Sequence, residues 1–267
     1  MTIIRDVIPL QSVKHRLIEP QYGVVRITNF QSQTTKDALK AIRDLQSEDD
    51  LKGLILDLRD NPGGLLDQAV SVADIFLDEG VIVSTKGRLP DQEMEFKARA
   101  GGPSHDFPVV VLVNGGSASA SEIVAGALQD HKRALILGEQ SFGKGSVQTV
   151  IPMNNGAGLR LTTARYYTPK GISIQAKGIT PDLVVHNQEN PAELASDLEP
   201  EGKNHVLREK DLKHHITNGN DKDTQDEVDE DREVKAKQDK ELQHDNQLRS
   251  ALMVLKGVSV FGSNIKN

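Results

Sequence analysis

The chain has 267 residues, a formal net charge of −7 at pH 7, 37% hydrophobic residues and 3% aromatics with no Trp, enough for one sizeable core with an appendage. An acidic balance with so few aromatics excludes the basic stripe and stacking platforms of a nucleic-acid surface, and no run of about eighteen apolar residues is present. The absence of cysteine removes disulfides, thiol catalysis and thiolate metal sites together, and fits oxidising and reducing compartments equally.

Residues 1–6, Met-Thr-Ile-Ile-Arg-Asp, lack the basic start and apolar centre of a signal peptide. Residues 22–28 read as a short strand. Ala38, Leu39, Ile42 and Leu45 then recur at helical spacing behind a Thr34/Thr35 cap, with Asp37 in the first turn. The apolar run 53–58 has strand length, the turn 59–64 breaks it, and Leu66, Ala69, Val72, Ala73 and Phe76 mark an amphipathic helix. Residues 109–113 are apolar throughout, as expected of a strand covered on both faces, and lead through Asn114-Gly-Gly into a helix over 119–130. Alternating strand and helix predicts an α/β core. Residues 147–152 and 159–167 lack helical periodicity and are expected to be strands that close the sheet.

The composition changes near His186: to Gln247 no aromatic appears and charges crowd together, which predicts a flexible segment. Leu248, Ala251, Leu252 and Leu255 then share one helical face, with Gly257 as the expected stop. Such a stripe needs a surface, either the chain's own core or a second subunit. The organisation read from the sequence is therefore an α/β domain over 1–185, a charged flexible segment over 186–247, and a helix and tail over 248–267.

Two segments carry candidate chemistry. Residues 114–122 read NGGSASASE and residues 141–148 read SFGKGSVQ, so that Ser119 stands 25 positions before Lys144, and Lys144 four before Gln148. A serine hydroxyl is a poor nucleophile until a base takes its proton, and a neutral lysine can do this without histidine. Lysine has a reference pKa of about 10.4, so the task calls for burial or a nearby positive charge. Phe142 and Val147 flank Lys144, and no carboxylate lies between Gln140 and Met153, which is compatible with such a site. An uncharged amide such as Gln148 is suited to holding an amine in direction.

Each of these residues also has an ordinary structural role open to it. Ser119 and Glu122 have capping-box spacing, and Ser117 and Ser121 are rival hydroxyls. Residues 138–144, GEQSFGK, satisfy most of a phosphate-binding loop, but Gly145 stands where a magnesium-binding Ser or Thr belongs. Asp57 and Asp60 fit local fixing of the turn better than acid–base work. His131 falls at a helix end, where a cation offsets the dipole, and is not expected to be the base. His186, His205, His214 and His215 lie in or beside the polar segment without a carboxylate set at ligand spacing, so no metal is predicted.

Together with residues 59–65, RDNPGGL, and 164–171, ARYYTPKG, the two segments resemble the carboxyl-terminal processing peptidases, or tail-specific proteases, over roughly residues 20–185. The resemblance implies a crotonase-like or Clp-protease-like α/β core and an ATP-independent serine endopeptidase without cofactor. It selects Ser119 as nucleophile, Lys144 as base, Gln148 as the residue that orients Lys144, and the backbone N–H groups of Gly64 and Ala120 as oxyanion donors. Some family members carry a further glycine where Pro62 stands here. The implied substrates are polypeptides, cut near unstructured apolar carboxyl termini. The implied setting is the cell envelope, expected to be the periplasm. Family members usually carry a secretion signal and a PDZ domain ahead of the protease domain, and this chain begins where a PDZ domain would be ending. It is therefore expected to be an isolated protease domain, with an adaptor protein as a candidate partner and self-association through the C-terminal helix as a further one. The alternatives are a gated or weakly active binding domain that awaits its PDZ domain or an adaptor, and a crotonase-type acyl-CoA enzyme, which needs no serine–lysine pair.

Overall fold

In chain order the elements are β1 (Val13–Glu19), β2 (Tyr22–Ile27), α1 (Thr34–Glu48), β3 (Gly53–Asp57), α2 (Leu66–Asp74), β4 (Val81–Gly87), β5 (Met94–Lys97), β6 (Val109–Val113), α3 (Ala120–Asp130), β7 (Ala134–Gly138), β8 (Ser146–Pro152), β9 (Gly158–Tyr167), β10 (Leu183–Val184) and α4 (Asn246–Ile265). The computed structural model describes residues 11–88, 93–101, 105–154, 156–187, 242 and 244–265. Most of the segment expected to be flexible, residues 188–241, lies outside the described residues, with His205, His214 and His215.

The strand–helix alternation produces a six-stranded sheet in the order β1-β2-β3-β6-β7-β10. All neighbours are parallel except β1, which pairs antiparallel with β2. Every residue of β3 and β6 is buried, as the unbroken apolar runs require of strands covered on both faces. Side chains alternate across the sheet. Leu54 and Leu56 of β3 and Leu58 just after it, with Val109, Val111 and Val113 on the next strand, join the main core with Ala69, Val72, Ile123 and Val124 of α2 and α3. Ile55, Val110 and Leu112 are also buried and point to the opposite face, where α4 packs on β3, β6 and β7.

The C-terminal stripe therefore docks on its own core. Leu248, Ala251, Leu252 and Leu255 are buried, each leucine contributing about 1.5–3 kcal/mol of transfer free energy. These residues belong to one compact unit with the chain up to Asn187. Gly257 does not stop the helix, which continues to Ile265; Ser259 Oγ donates back to Leu255 O across Gly257 at 3.0 Å.

Residues 147–152 and 159–167 do not close the main sheet. They are β8 and β9 of a second sheet in the order β5-β4-β9-β8, in which β9 pairs with β4 and β8 is an edge. At α1 the N-cap is Gln33 rather than a threonine; Thr34 is buried, and its Oγ1 accepts from Gln31 N at 2.8 Å and shares a hydrogen bond with Ser12 Oγ.

Candidate active site

β3, β6 and β7 are neighbouring parallel strands, so the segments that follow them emerge at one edge of the sheet, where α/β proteins place their ligands. After β3 comes the turn 59–64, after β6 the start of α3 with Ser119, and after β7 the loop with Lys144. Topology alone thus gathers three segments that are distant in sequence.

The turn is built around Asn61, which is wholly buried. Its Nδ2 donates to Ile27 O at 2.8 Å, its Oδ1 accepts from Gly63 N at 2.9 Å, and its carbonyl accepts from Ala118 N and Ser121 Oγ, both at 2.9 Å. Gly63 O accepts from Phe30 N, and Phe30 O from Leu65 N, each at 2.9 Å. Gly63 and Gly64 have φ of +100° and +146°, and a Cβ on Gly63 would fall 2.8 Å from Ser119 Cβ and 2.9 Å from Ala120 N. Only glycine lets the turn lie this close to the helix start. Among the described residues, neither the Gly64 nor the Ala120 N–H donates to another protein group, so both are free for an incoming oxygen.

The three serines separate cleanly. Ser117 is buried, its Oγ donating to Leu58 O at 2.8 Å and accepting from Asn114 N at 3.0 Å. Ser121 is buried and bonded to Asn61 O. Ser119 is half-buried, with φ 56° and ψ −110°, a sparsely populated backbone conformation for a non-glycine residue and one that clusters at functional sites. Its amide donates to Glu122 Oε2 at 2.8 Å, the carboxylate half of the expected capping box.

Glu122 does more than cap. It is fully buried, and its Oε2 also accepts from Lys144 N at 2.9 Å, while Oε1 accepts from Gly143 N and Ser141 Oγ, both at 2.6 Å. One carboxylate thus takes four donors and ties the serine turn to the lysine loop. The loop is held again by Phe142 N to Ser117 O at 3.0 Å, Gly145 N to Gln175 Oε1 at 3.1 Å, and Tyr166 N to Gly145 O at 2.7 Å. Burial pushes the Tyr166 phenol above its usual range, keeping it neutral.

The side chains of the lysine loop are less enclosed than its backbone. Lys144 and Gln148 are exposed, as is Phe142, and no hydrogen bond among the described residues joins Lys144 Nζ to Ser119 or to Gln148. The burial that Phe142 and Val147 suggested for Lys144 is absent, because β8 is an edge strand whose residues are largely uncovered. Backbones converge here, while the Lys144 and Ser119 side chains share no hydrogen bond among the described residues.

Residues weighed as alternatives have other occupations. Asp57 accepts Arg26 Nη1 at 2.7 Å and Arg59 Nη2 at 2.9 Å, and Asp60 exchanges two 2.9 Å hydrogen bonds with Asn114. His131 Nε2 pairs with Val81 O at 2.7 Å at the far end of α3 from Ser119, about 16 Å along an 11-residue helix. Gly138–Lys144 leads into strand β8, not into the helix a phosphate-binding loop requires. The contributions of Asn61 and of Glu122 as a hub were missed in the sequence. A lone carboxylate in the otherwise small and apolar ASEIVAGAL run was the available signal for Glu122.

The model of peptidase family S41 matches residues 21–185. A carboxy-terminal-processing protease of Bartonella bacilliformis is 59% identical over 186 residues, and a carboxyl-terminal-processing protease of Synechocystis sp. is 43% identical over 188. The alignments cover 68% and 69% of this chain and 43% of either relative, so the chain spans less than half the length of these relatives. The solved structure of a photosystem II D1 C-terminal processing protease superposes with a TM-score of 0.61 at 36% identity, covering 70% of this chain and 51% of the other. The mixed α/β core is thus the core of these proteases.

Proposed function

The chain belongs to peptidase family S41, and on that premise we propose that it cleaves polypeptides as a serine endopeptidase through Ser119 and Lys144. Ser119 Oγ attacks the scissile carbonyl while its proton passes to Lys144 Nζ; the C–N bond then breaks, and the same proton goes to the leaving amine. Water, deprotonated by Lys144, releases the acyl group and restores Ser119. The N–H groups of Gly64 and Ala120 receive the oxyanion, and Gln148 orients the amine. The observation that carries this reading is the single Glu122 carboxylate that binds the amides of Ser119 and Lys144 beside the Gly63–Gly64 turn. The relatives' names support substrates cut near their carboxyl termini, and the family resemblance supports apolar, unstructured termini and a cell-envelope setting.

The test is cleavage of an unfolded protein such as β-casein by the intact chain, Ser119→Ala and Lys144→Ala, with fragments read by mass spectrometry. Loss of at least about a thousandfold in both folded variants is expected; cleavage retained in either removes that residue from the mechanism.

One observation favours a second reading, in which the domain is gated. Lys144 is exposed and unbonded to Ser119, so turnover requires the lysine side chain to close on the serine, a step that an adaptor or a PDZ domain could drive. A folded intact chain that fails to cleave casein, but cleaves once joined to a PDZ domain, would establish this version.

A further inference from the structure

Arg59 opens the turn that ends in Gly64, and its guanidinium is gripped from two sides. Asp57, whose side chain is 4% exposed, accepts Arg59 Nε at 3.0 Å and Nη2 at 2.9 Å. The same carboxylate accepts the Arg59 amide at 3.1 Å and Arg26 Nη1 at 2.7 Å. Arg59 Nη1, on the other side, donates to Gln247 Oε1 at 3.1 Å.

Gln247 lies in the first turn of α4 and is 1% exposed. Its amide is used at both ends, because Nε2 donates to Val185 O at 2.7 Å. Beside it, Asn246 Nδ2 donates to His186 O at 2.8 Å. Burying an amide costs free energy unless both its donor and acceptor are satisfied, and an apolar residue like the adjacent Leu248 would serve packing alone. What the amide adds is direction: it bridges a guanidinium to a carbonyl and so fixes where Arg59 sits.

We propose that Gln247 is a positioning residue for the oxyanion turn, holding Arg59 from the C-terminal helix and so making turnover depend on the docking of α4. This rests on the reading of Gly64 N–H as an oxyanion donor. The far end of the turn is pinned by Asn61 and Phe30, and the near end by the Asp57–Arg59–Gln247 chain. A donor displaced by a fraction of an ångström loses its advantage in the transition state, not in ground-state binding. The signature is therefore a change in kcat without a change in KM.

Two substitutions separate this role from general support. Gln247→Met keeps the length and loses both hydrogen bonds; Gln247→Glu keeps the acceptor for Arg59 and loses the donor to Val185 O. In the intact chain, hydrogen exchange of the peptide spanning residues 59–65 is expected to accelerate by about fivefold in Gln247→Met and to return within about twofold of the original in Gln247→Glu. The β6 peptide should exchange unchanged in both variants. Casein cleavage should show kcat lower by about tenfold at unchanged KM in Gln247→Met, with recovery in Gln247→Glu. Unchanged exchange at 59–65, acceleration shared by β6, equal impairment of both variants, or a loss confined to KM would each overturn the proposal. Exchange decides whether Gln247 holds the turn even if the chain does not cleave, and kcat decides whether turnover depends on it. Cleavage retained by Ser119→Ala would sink the nucleophile assignment without touching the exchange result.

Discussion

The backbone amides of Ser119 and Lys144 donate to the same oxygen, Oε2 of Glu122, at 2.8 and 2.9 Å. The two segments lie 25 positions apart in the chain and follow different strands, so this buried acceptor, with the Phe142 N to Ser117 O hydrogen bond beside it, sets their spacing.

Glu122→Gln tests that dependence with almost no change in volume. The amide brings an N–H₂ group to a site where every partner is a donor, leaving two donor groups facing one another. We expect a stability loss of about 2–4 kcal/mol, read as a Tm lower by about 5–15 °C, and casein cleavage lower by at least about a hundredfold. A variant with unaltered Tm would show that the four hydrogen bonds do not hold the site together.

Gly63→Ala is expected to damage the site from the opposite side. The added methyl would fall 2.7 Å from Ala118 O and 2.8 Å from Ser119 Cβ, at φ +100°, so the turn must withdraw from the helix start at a cost of about 1–3 kcal/mol. Gly115→Ala, where nothing lies within 4 Å, is the matched control. Urea denaturation of both variants with cleavage assays checks this, and equal behaviour of the two would refute it.

A pH effect on stability should come from outside the site. The His105 ring stacks on Phe107 at 5.1 Å between centroids, and its buried Nε2 has no hydrogen-bond partner among the described residues. Burial first, and the Arg133 guanidinium second, lower its pKa from 6.5 in the folded chain, with Asp106 opposing. Between the lowered value and 6.5 the unfolded chain therefore holds a proton that the folded chain lacks. Stability from this group is complete above about pH 6.5 and is lost as pH falls through the folded value. His105→Phe, which keeps the stack, should flatten the fall in Tm between pH 7 and 5 and leave the trend above pH 7 unchanged. Identical slopes in both proteins would count against it.

Much of this was legible in the residues. β3, β6 and α3 announced themselves because a strand buried on both faces must be apolar throughout, and because glycine and asparagine mark the turns beside it. β1 and β5 were missed because each is an edge strand of its sheet with mixed polarity, VKHRLIE and MEFK, and β5 is largely uncovered. The second sheet was misread as part of the first, since alternation reveals a strand but not its neighbour. The family resemblance singled out Ser119 among three serines, whereas the enclosure of Lys144 was inferred from Phe142 and Val147, and Phe142 is 68% exposed. Local apolarity foretells burial only where another element arrives to cover it. The reach of Gln247 to Arg59, across 188 positions, left no local trace at all.

That span also orders events during synthesis. The central strands can pair as soon as β7 has left the ribosome, but the face that α4 covers stays wet, and Arg59 lacks its Gln247 contact, until about a hundred further residues are made. A nascent chain of this kind carries Ser119 and Gly64 before the brace from α4 exists. The order of translation thus leaves the Arg59 end of the turn held by Asp57 without Gln247 until α4 has been made.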